Sequence, residues 1–222
     1  MFVLYAIPGR DCGSYSGGGL SGPSAYADWI RAVTDGLGDR RAVVVVEPDA
    51  LAQLDCLAAG PRQEPIDMLR DAVQTLTSAS GAVVYLDGGN SNWIGAAEMA
   101  STLRSAGVAQ ADGFSLNVSN YNRTSDELAY GDDLSARLDG AHYVVDTSRN
   151  GLGPASGSLA WCNPQGRALG HRPTTDTGSA AADAYLWIRK PGESDGDCGR
   201  GEPAARTWWP EYAIGMAKRA AY

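Results

Sequence analysis

The chain is expected to adopt an α/β fold of parallel strands joined by helical crossovers, and three observations predict it. Short apolar, β-branched runs recur along the sequence with amphipathic helical stretches between them. No change in composition divides the 222 residues, which suits a single domain. A polar, carboxylate-bearing segment follows almost every apolar run, and in a parallel barrel such segments meet at one mouth.

The apolar runs predict six strands, at residues 2–7, 42–47, 82–86, 113–118, 142–145 and 185–188. Helical periodicity predicts helices at residues 26–37, 66–76, 96–106 and 127–138, with a last helix at 210–220. Thr124 and Glu127 have the spacing of a capping box for the fourth of these helices. Residues 150–184 are rich in Gly, Pro, Ser and Thr, and a loop of this length in a compact domain is usually functional.

Charge and hydropathy narrow the class of partner. The net charge is −8 and the charged residues are scattered, which argues against binding to nucleic acid or to an anionic membrane surface. No apolar stretch reaches the roughly 20 residues of a membrane span, and the opening residues do not resemble a signal peptide. A neutral, hydroxyl-rich partner is compatible with this surface. For the oligomeric state, we favour a monomer.

The chain has four cysteines, and they indicate an oxidising compartment. Cys12, Cys56, Cys162 and Cys198 are widely spaced and form no C-x-x-C pair, which favours two disulfides over a zinc site. We therefore expect a secreted protein. The spacing of potential ligands predicts no metal, and no cofactor is expected.

Carboxylates recur where the predicted strands end. They are Asp11, Asp49, Asp87, Asp146 and Asp195, and Asn117 follows the fourth strand in the same way. A single aspartate at such a point is usually a cap or turn residue. Several at one mouth would repel one another, so that at least one should keep its proton near neutral pH. Paired carboxylates in a cleft are the usual means of breaking a glycosidic bond.

Aromatic residues in the polar loops support a sugar substrate. Trp93 and Trp161 lie just beyond predicted strand ends, where their rings could stack on the apolar faces of sugars. Trp29 and Trp187 lie in periodic segments, for which core packing is the better prediction. Trp208 and Trp209 could either pack in the core or line the rim of the cleft. The two histidines have no nucleophile-elbow serine or cysteine nearby, so a triad hydrolase is poorly supported.

Six motifs in order resemble glycoside hydrolase family six, the inverting cellulases with a distorted, seven-stranded parallel barrel. They are IPGRDCG, VVEPDAL, VYLDGGNSNW, LNVSNY, DTSRNG and LWIRKPGESDG. The resemblance covers nearly all of the chain and implies that residues 1–222 are one catalytic domain. It also implies that the first barrel strand is missing before Met1, either by truncation or in a naturally short version.

Catalytic roles follow from this resemblance. Asp49 matches the general acid that protonates the leaving group. Asp11 matches the residue that keeps the pKa of that acid high and can relay a proton from water. Asp195 matches the carboxylate proposed as base, acting directly or through a chain of waters. Tyr5 matches the tyrosine that distorts the sugar at the cleavage point.

The resemblance also implies a set of substrate-binding residues and a pairing of the cysteines. The substrate-binding residues are Asp87, Trp93, Trp161, Asn117, Arg149 and Glu193, with Arg189 or Lys190 as the cation that contacts sugar and Ser16, favoured over Ser14, as the loop serine. Asn90 stands where many members have histidine. By resemblance, Cys12 pairs with Cys56 and Cys162 with Cys198, each bond holding an active-site loop.

Among family activities, the sequence favours cleavage of internal β-1,4-glucosidic bonds in cellulose or mixed β-glucan. The stretch between Cys162 and Cys198 is short, and no second tryptophan follows Trp93, as expected of an open cleft. An exo-acting cellobiohydrolase is the alternative within the family. A glucan-binding protein that has lost catalysis is the alternative from another class.

Overall fold

Six parallel strands form one sheet in the computed structural model, which describes residues 1–57, 62–79 and 81–221. The strands are β1 (Phe2–Leu4), β2 (Ala42–Val46), β3 (Ala82–Asp87), β4 (Gly113–Leu116), β5 (His142–Asp146) and β6 (Ala182–Leu186). They lie side by side in chain order, and every neighbouring pair is parallel. The α/β fold is thus confirmed, and the six described strands fit a seven-stranded barrel type that lacks one strand.

Helices connect the strands from β1 to β5 and cover one face of the sheet, whereas a long loop joins β5 to β6 and a last helix follows β6. The helices are α1 (Pro23–Leu37), α2 (Leu54–Leu57), α3 (Gln63–Leu76), α4 (Ala96–Ser105), α5 (Thr124–Arg137) and α6 (Pro210–Arg219). Because side chains alternate along a strand, Val44 and Val46 pack with the helices while Val45 packs in a second, smaller cluster on the opposite face. None of the described helices is long and apolar enough to cross a bilayer.

All six predicted strands differ from the structure at one bound or both, and the differences are largest for β1 and β6. β1 ends at Leu4 because the carboxylate of Glu47 accepts hydrogen bonds from the backbone N–H groups of Ala6 and Ile7, at 2.9 and 3.0 Å. β6 begins at Ala182, three residues before the predicted start, and ends at Leu186. Alanines occupy its first half and carry no strand signal, so the sequence placed this strand too late.

The predicted capping box of α5 is wrong. Thr124 is already within the helix, and its hydroxyl accepts a hydrogen bond of 3.1 Å from the side-chain amide of Asn150. Glu127 instead accepts hydrogen bonds from the backbone N–H and the hydroxyl of Ser91, at 3.0 and 2.7 Å. The side chains with capping spacing therefore tie α5 to the loops that follow β3 and β5.

Candidate active site

A cleft of about 1220 Å³ opens where the loops leave the carboxyl ends of the strands. The predicted site residues that line it are Tyr5, Asp11, Ser16, Asp49, Trp93, Trp161, Arg189, Lys190, Glu193 and Asp195. They come from loops after β1, β2, β3, β5 and β6, as a parallel sheet requires. Ser14 lines the cleft as well, so both loop serines are placed there.

The turn after β2 brings Asp49 into the cleft. Glu47 and Asp49 both have left-handed backbones, with φ of 48° and 71°, a conformation that costs about 1 kcal/mol or more for residues other than glycine. Oδ2 of Asp87 holds this turn by accepting hydrogen bonds from the backbone N–H groups of Asp49 and Gly89, at 2.9 and 3.0 Å. Strain at this turn is thus maintained by a buried carboxylate on the next strand.

Asp49 is the carboxyl group best placed to keep a proton. Burial raises its pKa well above the usual range, and the negative charges of Asp87 and Asp11 raise that pKa further. Burial raises the pKa of Asp87 too, but the hydroxyl of Ser115 donates a third hydrogen bond to its carboxylate at 3.0 Å. Three donors favour the ionised form of Asp87. Of these two carboxyl groups, Asp49 is therefore the one that keeps a proton.

Asp11 lies in a short loop whose shape it helps to fix. Its Oδ2 accepts a hydrogen bond of 2.7 Å from the backbone N–H of Ser16. Arg10 donates from Nε to the Ser16 carbonyl at 2.9 Å, and its guanidinium lies 5.1 Å from the centre of the Tyr5 ring. No described protein group donates to Oδ1 of Asp11, which leaves that oxygen able to accept a hydrogen bond from water.

Asp195 is held by a saturated set of donors. Nη1 of Arg149 lies 2.9 Å from both carboxylate oxygens, and the backbone N–H of Asn163 donates to Oδ2 at 3.0 Å. Arg189 and the hydroxyl of Tyr121 add contacts of 3.4 and 3.3 Å. Since Arg149 is fully buried, the pair is an interior ion pair that orders the loops around it. Little acceptor capacity remains for a water molecule.

Three residues predicted to bind substrate do not line the cleft. Asp87, Asn117 and Arg149 are 1%, 0% and 0% exposed, respectively. Asp87 and Arg149 are bound to other site residues, as described above, and the side-chain amide of Asn117 donates to the carbonyl of Asp146 at 3.0 Å. Each supports a residue or loop of the cleft from behind, since strand-end residues alternate between the cleft and the interior.

Asp146, which was predicted to follow a strand end like the carboxylates of the cleft, is the last residue of β5 and is also buried. Its side chain accepts hydrogen bonds from the backbone N–H groups of Ser119, Ser148 and Arg189, at 3.0, 2.9 and 3.1 Å. These donors belong to loops that follow three different strands. Asp146 thus links the loops of the cleft floor.

Other residues of the cleft were missed or misplaced by the sequence. Trp187 was predicted to be a core residue within a strand, but it lies just after β6, is half-buried and lines the cleft. Trp29 packs against the core as predicted and also reaches the cleft. Trp93 and Trp161 were identified because they lie just beyond strand ends. With the correct end for β6, the same rule would have identified Trp187.

The remaining tryptophans lie away from the cleft lining. Trp209 stacks on Tyr212, with ring centres 5.3 Å apart, and Trp208 is exposed. Two other cleft residues were not predicted as site residues: Asn92, although it lies within the motif VYLDGGNSNW, and Arg206, which lies in no motif.

Both cysteine pairs implied by the family resemblance are joined in the structure. Cys12 and Cys56 connect the loop of Asp11 to α2. Cys162 and Cys198 connect the loop of Trp161 to the loop of Asp195. Each bond thus holds a cleft-forming loop by its base.

Comparison with known proteins places these features in one family. The family model described as glycosyl hydrolases family 6 matches residues 1–220. Endoglucanase A of Cellulomonas fimi is 49% identical over 221 residues, which are 99% of this chain and 47% of that protein. Endoglucanase 1 of Streptomyces halstedii is 46% identical over 224 residues, which are 97% of this chain and 68% of that protein.

A solved structure of the same family also matches this chain closely in fold. The endoglucanase Cel6 of Mycobacterium tuberculosis, in complex with methyl-cellobiosyl-4-deoxy-4-thio-β-D-cellobioside, superposes with a TM-score of 0.95 and 55% identity. The match covers 97% of this chain and 74% of that one. This chain therefore spans only part of each of these proteins, and about half of Endoglucanase A of Cellulomonas fimi.

Proposed function

This chain belongs to the glycosyl hydrolases of family 6, and we propose that it hydrolyses internal β-1,4-glucosidic bonds of cellulose or mixed β-glucan. The observation that carries the proposal is the position of Asp49, which lines the cleft with Asp11 and Asp195 and whose pKa is raised by burial and by neighbouring negative charges. The endoglucanase names of the similar proteins support the same reaction. On this proposal, residues 1–222 act as a single catalytic domain.

Asp49 acts as the general acid in this proposal. Its burial and the charges of Asp87 and Asp11 keep it protonated until a substrate oxygen lies within reach. Transfer of that proton to the glycosidic oxygen lets the leaving sugar depart as a neutral alcohol. Asp49 is then left as a carboxylate, and it regains a proton before the next cycle.

Water attacks the anomeric carbon from the opposite side, which inverts its configuration. Inverting glycosidases keep their two carboxyl groups roughly 6.5–9.5 Å apart so that a water fits between them. We assign the proton of this water to Asp11, directly or through a second water, because its Oδ1 has no described protein donor. The donors around Asp195 favour a fixed charge at that position, which orders the cleft and stabilises positive charge on the sugar.

Aromatic groups bind the sugar on both sides of the acid. Trp93 and Trp161 are 40% and 42% exposed, so their faces are open to stack on glucosyl rings. Burial raises the pKa of the Tyr5 phenol, and the nearby charges of Asp49 and Asp11 raise it further, which keeps the hydroxyl neutral. A neutral phenol beside the acid can press on the sugar at the cleavage point without adding charge.

The decisive experiment compares this chain with its Asp49→Asn variant on soluble carboxymethylcellulose. We expect a rapid loss of viscosity and a release of reducing ends that falls by about 10²- to 10⁴-fold in the variant. Asp133→Asn, an exposed carboxylate on α5 paired with Arg137, is the matched control and should keep full activity. Equal release by the chain and by Asp49→Asn would indicate a glucan-binding protein instead.

Two further readouts separate the alternatives within the family. Cellobiose accumulating from chain ends without loss of viscosity would indicate an exo-acting cellobiohydrolase. Proton NMR of the first product should show the α-anomer, because inversion of a β-bond yields it. An initial β-anomer would contradict the assignment of Asp11 and Asp49.

Secretion and a monomeric state complete the proposal. Two disulfides joining loops of the cleft suit an oxidising compartment. Size-exclusion chromatography with light scattering measures the oligomeric state, and a mass near 23.2 kDa is expected.

A further inference from the structure

Arg206 lines the cleft beside Tyr5, although it is 201 residues away in sequence and has no recognised motif around it. Its guanidinium carbon lies 5.7 Å from the centre of the Tyr5 ring. Charge from Arg206 lowers the pKa of the Tyr5 phenol, in opposition to burial and to the charges of Asp49 and Asp11. Arg206 therefore approaches the same part of the cleft as the candidate acid.

The backbone holds Arg206 in a defined position. Its N–H donates to the Ser194 carbonyl at 2.9 Å, and the N–H of Ser194 donates to the Thr207 carbonyl at 2.9 Å. The N–H of Trp209 donates to the Gly192 carbonyl at 2.8 Å, and Glu193 pairs with Trp208 in an antiparallel bridge. Arg206 is thus attached to the same segment that carries Asp195.

Arg206 also has a strained backbone. Its φ is +67°, and the Thr207 N–H to Ala204 carbonyl hydrogen bond of 3.0 Å places it in a tight turn. Glycine or asparagine would adopt this conformation at lower cost. An arginine kept in a left-handed turn at the edge of a cleft is the kind of outlier that marks functional sites.

The other cations that line the cleft have acidic partners, and Arg206 has none in the part of the chain that the structure describes. Arg189 lies 3.4 Å from Asp195 and 4.0 Å from Glu193, and Lys190 lies 3.1 Å from Glu193. Among the described residues, the guanidinium of Arg206 contacts the Tyr5 ring and has no hydrogen-bond acceptor. Its five N–H donors are available to a ligand in the cleft.

We propose that Arg206 is a substrate-binding residue that donates hydrogen bonds to hydroxyl oxygens of the glucosyl unit lying against Tyr5. The inference rests on the proposed function, since it names a contact within the same cleft. A planar guanidinium can donate to two neighbouring sugar oxygens at once, whereas a lysine supplies a single compact charge. Arg206 thereby favours a sugar with two adjacent equatorial hydroxyls at this position.

Binding to cellotetraose, measured by calorimetry in an Asp49→Asn background in which turnover is slowed by about 10²-fold or more, tests this proposal. Arg206→Met removes the donors but keeps the apolar stem, and it should weaken binding about tenfold or more. Arg206→Lys should restore part of the affinity. Arg137→Met is the matched control, because Arg137 is an exposed arginine paired with Asp133 on α5, outside the cleft lining.

Two results would overturn the proposal. If Arg206→Met binds cellotetraose as tightly as its parent and catalysis is unchanged, Arg206 makes no contact with the substrate. Unchanged affinity with a lower kcat, measured with Asp49 restored, would mean that Arg206 only positions Tyr5. In both cases hydrolysis by the unsubstituted chain would leave the proposed function standing. If that chain neither bound nor cleaved β-1,4-glucan, both proposals would fail together.

Discussion

The backbone N–H of Asp49 donates a hydrogen bond of 2.9 Å to Oδ2 of Asp87. This contact joins the candidate acid to a buried carboxylate through the main chain and not through the acid's own side chain. Asp87 therefore fixes the turn that carries Asp49, while its charge raises the pKa of the Asp49 carboxyl. One residue thus positions the acid and adds to the larger effect of burial on its pKa.

Neutralising Asp87 should make Asp49 a stronger acid. In Asp87→Asn the negative charge is removed, so the pKa of Asp49 falls and the alkaline limb of the kcat/KM profile moves down by about one pH unit. Activity near neutral pH falls because less of Asp49 is protonated. Asp133→Asn should leave the profile unchanged. An alkaline limb that does not move in a folded Asp87→Asn protein would exclude this role.

Removing Asp195 should cost much more stability than removing Asp11. Asp195→Ala leaves Arg149 buried without its partner, for which about 3–5 kcal/mol is expected. Asp11→Ala removes one hydrogen bond from the half-buried Asp11 carboxylate, for which about 1 kcal/mol is expected. Urea unfolding followed by circular dichroism measures both free energies. Equal costs would show that the Arg149 pair is not the interior anchor described above.

Glu127 should make the protein less stable as the pH rises. Burial raises its pKa from an ordinary 4.5 to about 7. A carboxyl with a raised folded-state pKa contributes its full stability below about pH 4.5 and loses it as the pH approaches 7. The 2.5-unit difference corresponds to about 3 kcal/mol.

Glu127→Gln isolates this effect. The glutamine keeps an acceptor for Ser91 but cannot ionise, so the variant should gain stability relative to the parent between pH 5 and pH 8. The gain should approach about 3 kcal/mol in the free energy of unfolding. Glu98→Gln, an exposed residue on α4, is the control and should show no such trend. The idea fails if the two variants have the same pH dependence.

Reduction of the disulfides should loosen the cleft loops. Replacing Cys12 and Cys56 by serine should lower the free energy of unfolding by about 2–4 kcal/mol. Limited proteolysis should then cut the loop that carries Asp11 faster than in the parent. A protein whose melting temperature and proteolysis were unaffected by complete reduction would contradict this expectation.

The local pattern of residues in the sequence was sufficient to predict much of the fold and many of the residues that line the cleft. The continuous run of valines in β2 predicts a strand with two buried faces, because successive side chains along a strand point to opposite faces. The same applies to the carboxylates after each strand, since parallel strands end at a common edge. The late placement of β6 shows the limit of this method, because its alanines carry little signal of their own.

Long-range packing decided which of those residues face the cleft and what each one does. Asp49 and Asp87 lie at the carboxyl ends of neighbouring strands, yet one lines the cleft and the other lies beneath it. Asp195 received donors from loops 32 and 46 residues away, and Arg206 came to lie beside Tyr5. Periodicity is a property of a few adjacent residues, whereas burial, charge pairing and pKa depend on partners that only the folded chain brings together.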